Sequence, residues 1–472
     1  MTGIVSYGAY VPPTRLPLSV IGGGAVKEGG PEKAVAWADE DAVTMAVTAA
    51  ANALRGFDRE AVDAVFFAST THPFQEKQGA ALVARALDLR REVETADLAG
   101  SLRAGTAALR RAVDAVHAGS LRRVLVVASD CRMAAPGSAL ERNLGDGAAA
   151  FLVGDEGAVA TLTAHHAVSE EIVDVWRTAG DPFVHAWEER FVVQEAYTPA
   201  VTAAVRGLLE KAGAQAADFA KVALTAPDAR SHGGAARALR LDAGRLQDPL
   251  FGRLGSAGCA FAPLLLAAAL EDARPGERIL VAAHGDGAEA LGFAVGADVE
   301  KLEPRRGVSW HLARRRQVPR YDRYLAAREL GAREYPPPAD PGLSATVHFR
   351  ERDEDVSFKG QRCTRCGGLQ FPVQRVCERC FAKDAFETVR LADRVGHVVT
   401  YTLDHFFPTP EPPTIVTVTD VDGARVHLQL VECDPQEVRL GMPVEMRFRR
   451  IHRVGGRPNY YWKAVPLPEE PA

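Results

Sequence analysis

Gly145 to Gly154 (GDGAAAFLVG) has a counterpart later in the chain, Gly285 to Gly296 (GDGAEALGFAVG). In each, a glycine-flanked aspartate opens a run of small and apolar residues. Each run is preceded by another apolar stretch, Arg123 to Asp130 (RVLVVASD) in the first copy and Arg278 to Ala283 (RILVAA) in the second. Further upstream, Ala104 to Gly119 and Leu264 to Leu270 read as helices, and ahead of those Val62 to Ser69 (VDAVFFAS) and Lys221 to Thr225 (KVALT) read as strands. Order and spacing are kept, apart from a longer loop after RVLVVASD. Continuous apolar strands between helices indicate an α/β fold with a buried sheet, and the ordered recurrence indicates that this fold is duplicated. The halves are expected at about 1–165 and 166–300 of a domain covering 1–335.

The chain of 472 residues is long enough for two or three compact units. With 47% apolar and 25% charged residues it has a globular composition, and its net charge of -5 leaves no basic excess of the kind a nucleic-acid binder needs. The start lacks a secretory pattern. The longest apolar stretch, Ala257 to Leu270, is shorter than the roughly twenty residues of a bilayer span and contains Pro263. Four of the seven cysteines are clustered, and Cys131, Cys259 and Cys433 are scattered. Reduced thiols and a cytoplasmic protein without membrane or nucleic-acid partners are therefore expected.

After Gly296 a basic and aromatic stretch is expected to close the first domain, and Pro336-Pro337-Pro338 reads as a stiff linker over 336–345. Cys363-Thr-Arg-Cys366 and Cys377-Glu-Arg-Cys380 then form two knuckles ten residues apart, with Gly367 and Gly368 beside the first. Each knuckle can offer two thiolates to one tetrahedral ion, which selects a closed, structural zinc site within a ribbon over 346–383. A redox motif would come as a single pair. From 384 to 472 short alternating runs (HVVTYTL, TIVTVTDV, RVHLQLVEC, VEMRFRRI and NYYWKAV) indicate a small antiparallel barrel. Tyr460, Tyr461 and Trp462 could stack on bases, but successive strand residues face opposite ways.

The ribbon, HVVTYTLDHF, the LGMPVEM turn and the upstream helix YDRYLAAREL resemble the zinc-ribbon and OB-fold family that accompanies thiolases and archaeal hydroxymethylglutaryl-CoA synthases. The first domain resembles the hydroxymethylglutaryl-CoA synthase and ketoacyl synthase III-like branch of the thiolase superfamily. SYGAYVPPTRL, STTHPFQEKQGAALVARAL, DLAGSLRAGTAAL, the GDGA turns and PGERILVAAHGDGA carry that resemblance. It implies a duplicated αβαβα fold, a dimer, and a coenzyme A thioester as substrate or ligand.

That family uses a cysteine thiolate at a helix N-terminus, a general-acid glutamate, a histidine and an asparagine. The motif alignment puts Leu102, Thr70, Thr225 and Ser256 at those four positions. Leucine cannot form an acyl-enzyme. Ser101 has no base placed beside it by sequence, and Cys259 reads as a small buried hydrophobe. His72 and His232 lie in loops that the resemblance places near the pocket and are candidate bases. His284 and Asp286 read as parts of a glycine-permitted turn. Arg314-Arg315-Arg316 and Arg320 could meet coenzyme A phosphates or face solvent.

The implied function is non-covalent carbon–carbon bond formation or cleavage on a CoA thioester, of aldol or retro-aldol type. The alternatives are a catalytically silent acyl-CoA-binding subunit for a thiolase-fold partner, and a synthase-like acyltransferase. An ordered polar base in the pocket favours the enzyme; an apolar, plugged pocket favours the scaffold.

Overall fold

The computed structural model describes residues 2–331, 344–407 and 409–468. The chain divides into two compact units: Met1–Trp37, Asp41–Ala84 and Leu89–Tyr324 form the first, and Ala38–Glu40, Arg85–Asp88 and Leu325–Ala472 the second. The expected linker residues 336–343, with Pro336-Pro337-Pro338, lie outside the described residues.

The first unit is built on a nine-stranded sheet. Its strands are β1 (Gly3–Tyr10), β2 (Ala64–Ala68), β3 (Glu94–Leu98), β4 (Arg123–Asp130), β5 (Gly147–Gly154), β6 (Ala160–Ser169), β7 (Lys221–Leu224), β8 (Arg278–His284) and β9 (Gly287–Val295). They are ordered β7-β8-β9-β6-β1-β5-β4-β2-β3. Between β1 and β6 the sheet narrows to two pairs, Gly3 with Thr161 and Ile4 with Ala160. On one side of that waist, β1–β5 and β5–β4 are antiparallel and β4–β2 is parallel. On the other, β6–β9 and β9–β8 are antiparallel and β8–β7 is parallel. The duplication read from the GDGA runs is thus a repeat of topology. It also holds in register, since Ser129 faces Ala148 in one half as His284 faces Ala288 in the other.

Each half contributes one helix to the centre, Ala104–His117 and Phe261–Glu271. The second is apolar nearly all round, as a helix covered on every side must be. Gly105 lets the first approach it: a Cβ there would lie 2.3 Å from the Cys259 carbonyl oxygen and 2.8 Å from Pro263 Cγ. Neither neighbour can yield without moving the helix, so Gly105→Ala is expected to destabilise the first unit by about 1–3 kcal/mol. A lowered first thermal transition checks this, and an unchanged one contradicts the close crossing.

The two GDGA turns interlock the halves. A Cβ on Gly145 would lie 1.9 Å from the Leu254 carbonyl oxygen, in the loop leading to the second central helix. A Cβ on Gly285, whose φ is +155°, would lie 2.9 Å from Leu102 Cβ, in the loop leading to the first. Each half's turn is therefore pressed against the loop ahead of the other half's helix, which requires glycine.

In the second unit a helix, Ala345–Asp355, precedes a three-stranded ribbon of β10 (Lys359–Cys363), β11 (Leu369–Gln370) and β12 (Phe386–Arg390). A closed barrel follows: β13 (Gly396–Asp404), β14 (Thr414–Val421), β15 (Ala424–Leu430), β16 (Pro443–Val454) and β17 (Arg457–Pro466), ordered β13-β14-β15-β17-β16. Alternate residues of β14 (Ile415, Thr417, Thr419 and Val421) point inward, as its period-two sequence requires. Tyr460 and Trp462 are buried, with the Tyr460 ring stacked 5.4 Å from that of Phe448 and the Trp462 indole donating to the Val356 carbonyl at 2.9 Å. They are interior packing and form no exposed base-stacking platform. Among the described residues no helix is long and apolar enough to cross a membrane.

Candidate functional site

The carboxyl ends of β2 and β4 meet at one buried carboxylate. Asp130, the last residue of β4, is fully buried. Its Oδ1 accepts from the Ser69 hydroxyl (3.0 Å), the Thr70 amide (2.7 Å), and the Thr71 amide (3.1 Å) and hydroxyl (3.0 Å). Its Oδ2 accepts from the Thr70 hydroxyl (2.9 Å) and the Cys259 amide (2.7 Å). Six donors hold this carboxylate, so it fixes the loop after β2 and the approach to the second central helix. Asp97, the aspartate of the DLAGSLRAGTAAL motif, plays a comparable part. It accepts from the Gly79 and Ala80 amides at 2.6 and 2.8 Å and so begins the helix Gly79–Ala86.

Two cavities adjoin above this frame. The outer, about 340 Å³, is lined by Thr70, His72, Ser101 and exposed groups that include Asp286 and Arg177. The inner, about 70 Å³, is lined mainly by buried residues, among them Thr225, Ser256 and Phe261, and by the half-buried His284. Leu102, Arg132, Asp174 and Val175 line both. No cysteine lines either.

His284 ends β8, the counterpart of β4, and its Nδ1 is 3.7 Å from Asp174 Oδ2. Burial pushes the His284 pKa below its ordinary value, while Asp174 and then Asp286 oppose that shift. The imidazole is therefore held neutral, able to accept a proton beside a carboxylate that favours the resulting cation. Its backbone N–H donates to Thr225 Oγ1 at 3.0 Å, and its ring meets the Tyr197 ring edge-on at 5.3 Å. The Tyr197 hydroxyl in turn donates to the Thr225 carbonyl at 3.0 Å. The ring thus sits in a fixed frame on a rigid strand end.

The structure brings Thr70, Leu102, Thr225 and Ser256 to these cavities, with Leu102 where they join. His72 lines the outer one, with Nε2 3.4 Å from the Leu98 carbonyl oxygen and its ring packed edge-on against Phe67. His232 is different. It is buried in the helix Ala229–Ala238, burial lowers its pKa, and it lines neither cavity, so the expected placement near the pocket does not hold for it. Cys259 is fully buried with its thiol pKa raised by burial and by Asp130, and it serves as packing. Arg315 pairs with Glu32 at 2.8 Å and Arg320 with Asp322, and none of the Arg314–Arg316 run lines a cavity.

Arg132, Asp174 and His284 were reachable in part from sequence. Laying RILVAAH on RVLVVAS aligns His284 with Ser129, and a repeat that swaps a small residue for a histidine at a strand's carboxyl end marks a binding position in α/β folds. Asp174 comes from a long loop, and no local pattern ties it to His284.

In the ribbon, Sγ atoms of Cys363 and Cys380 are 3.6 Å apart, as are those of Cys366 and Cys377, and all four lie within 4.8 Å of one another. A tetrahedral ion with metal–sulfur bonds of about 2.3 Å requires sulfur separations of about 3.8 Å. The thiols therefore fit one zinc and are too far apart for disulfides. Each knuckle is closed by a backbone bond, Gly367 N–H to the Cys363 carbonyl (2.8 Å) and Phe381 N–H to the Cys377 carbonyl (3.0 Å). Gly367 and Phe381 both have left-handed φ, +73° and +58°, so the second knuckle accepts a strain that the first avoids.

Comparison with known proteins agrees with this division. Residues 356–387 match the family described as ChsH2, rubredoxin-like zinc ribbon domain, and residues 388–449 match ChsH2, C-terminal OB-fold domain. The chain is 32% identical over 323 residues to hydroxymethylglutaryl-CoA synthase of Methanothermobacter thermautotrophicus, covering 66% of this chain and 92% of the relative. It is 34% identical to that of Archaeoglobus fulgidus, covering 70% and 98%. Among solved structures it is similar to MvaS in complex with 3-hydroxy-3-methylglutaryl coenzyme A (24% identity, 72% and 94% covered, TM-score 0.62). It is also similar to 3-oxoacyl-[acyl-carrier-protein] synthase III from Aquifex aeolicus (21% identity, 62% and 100% covered, TM-score 0.55). The duplicated sheet with a cavity at its strand ends is that of a thiolase-fold protein. Within that class, the chain belongs to the hydroxymethylglutaryl-CoA synthase family, with a zinc-ribbon and OB-fold module following its thiolase-like unit.

Proposed function

We propose that the thiolase-like unit makes or breaks a carbon–carbon bond on a CoA thioester without a covalent acyl-enzyme, in an aldol or retro-aldol reaction. One observation carries this reading: Leu102 stands where the two cavities join, no thiol lines them, and His284 beside the buried Asp174 supplies a base in their place. In the forming direction His284 takes a proton from the thioester α-carbon, and the C–H electron pair becomes the enolate. The enolate carbon attacks an acceptor carbonyl, whose oxygen collects the proton from the imidazolium. Cleavage is the reverse: His284 removes the hydroxyl proton, the carbon–carbon bond breaks, and the thioester enolate is reprotonated at carbon. Thr225 and Ser256 offer hydroxyl donors in the inner cavity. A silent acyl-CoA-binding subunit would more economically carry an apolar, plugged pocket, because buried charges are costly; Arg132, Asp174 and His284 make this one polar.

Incubation with acetyl-CoA or acetoacetyl-CoA is expected to leave no mass adduct on the chain. An adduct between Ser101 and Thr106, or on Cys259, overturns the reading. Leu102→Cys is expected not to create a synthase, since Thr70 and Thr225 supply neither a carboxylic acid nor an imidazole. Turnover by that variant near an ordinary enzyme's roughly ten per second would contradict the assignment of those positions.

We propose further that Cys363, Cys366, Cys377 and Cys380 hold one zinc ion, whose contribution is to fold the ribbon, all four coordination positions being taken by the protein.

A further inference from the structure

Asp174 is buried, yet it reaches the site from outside the long strands and helices. It opens a short hairpin in which Val175–Trp176 pairs with His185–Ala186. The Asp174 carbonyl accepts from the Trp187 amide at 3.0 Å and its Oδ1 from the Val175 amide at 2.6 Å, so the carboxylate is fixed to the hairpin. Its other oxygen, Oδ2, is the one 3.7 Å from His284 Nδ1. Two strands of two residues do not hold their place unaided. Two hydrogen bonds tie this hairpin to the frame of the first unit: the Val184 amide donates to the Met133 carbonyl at 2.7 Å, and the Arg177 guanidinium to the Thr70 carbonyl at 2.7 Å. Thr70 is in turn held through its amide and hydroxyl by Asp130. Contacts thus run from Asp130 through Thr70 and Arg177 to the hairpin and Asp174.

We infer that Arg177 is a positioning residue: by pinning the hairpin to the Thr70 loop it holds Asp174 beside His284, acting through the hairpin rather than by its own charge. Arg177 is exposed at the outer cavity, whereas His284 lines the inner one. The charged or titratable groups that bear on the ring are Asp174, Asp286, Arg103 and Tyr197, with Arg132 near Asp174. A role through the hairpin and a role through charge have opposite signs. As a cation Arg177 disfavours a further positive charge on the imidazole, so losing that charge alone would make protonation easier. Losing the pin lets Asp174 withdraw, which makes protonation harder. As a statement about catalysis the inference rests on His284 being the base proposed above; the placing of Asp174 does not.

The test is an NMR pH titration of His284 in the full-length chain without thioester, its ring signal identified by its absence from His284→Gln. Arg177→Gln is expected to lower the proton affinity of His284 about 3- to 10-fold, the usual worth of one hydrogen bond, and to speed hydrogen exchange at the Val175 and Trp187 amides. On an Asp174→Asn background the same change should add no further loss, because the carboxylate it positions is gone. Arg177→Lys, which keeps a donor for the Thr70 carbonyl, should retain part of the wild-type proton affinity. An unchanged or raised proton affinity in Arg177→Gln overturns the inference, as does unchanged protection of the two amides. Weaker thioester binding with an unaltered titration would make Arg177 a ligand contact, again an overturning result. If the wild type exchanges no thioester α-proton, the proposed reaction falls, while the titration still decides whether Arg177 places Asp174.

Discussion

Replacing His284 with glutamine is expected to slow exchange of the thioester α-proton with solvent by about a hundred- to ten-thousand-fold, the contribution usual for a positioned general base. Glutamine fills a similar volume and cannot accept the proton. Thioester affinity should change little, because in the proposed reaction the ring meets the reacting carbon and not the coenzyme. The pH profile gives a second readout. The folded pKa of His284 lies below its ordinary value, so the wild-type exchange rate should rise with pH through a point below about 6.5 and then level off. The same shift has a stability consequence: the neutral buried ring's contribution is fully present above about 6.5 and is lost as pH falls through the lower folded value. Asp174→Asn should move the profile to lower pH, since the carboxylate beside the ring favours its protonation. A profile that descends through neutrality instead would identify an acid, and the base assignment would fail.

The second large effect is expected at the ribbon. Elemental analysis should find about one zinc per chain, and Cys363→Ser or treatment with a strong chelator should remove it together with the folded ribbon. Structural zinc supplies about 10–16 kcal/mol of apparent binding free energy in small metal-dependent domains. The ribbon's three strands are short, two of five residues and one of two. The thermal transition of the thiolase-like unit should persist. A metal-free chain whose amides in β10–β12 remain protected from hydrogen exchange would show that the ribbon folds without zinc.

The duplicated fold was legible because its signal is redundant: strand, helix, strand and GDGA turn recur in order, and each recurrence supports the others. The ribbon was legible because four thiolates at fixed spacing have few other uses. The barrel followed from period-two alternation, which Ile415 to Val421 keep residue by residue. The site was legible only as a set of losses. The motif alignment assigns Leu102, Thr70, Thr225 and Ser256 to the family positions, and those four residues line the cavities. The groups that the proposed reaction uses come from positions distant in sequence. His284 looks like part of a turn until β8 is seen to end at the inner cavity. His232 shows the converse error: a loop position inferred by resemblance proved to be a helix position facing the core.

The central claim is that a thioester is activated here by proton removal and not by acylation, and one sample can test it. The full-length chain is incubated with acetyl-CoA in deuterium oxide, and the intact masses of thioester and protein are read together. Deuterium entering the thioester α-position, with the protein mass unchanged and the uptake abolished by His284→Gln, is the predicted result. An acyl adduct on the protein, or no deuterium uptake by the thioester, would contradict it.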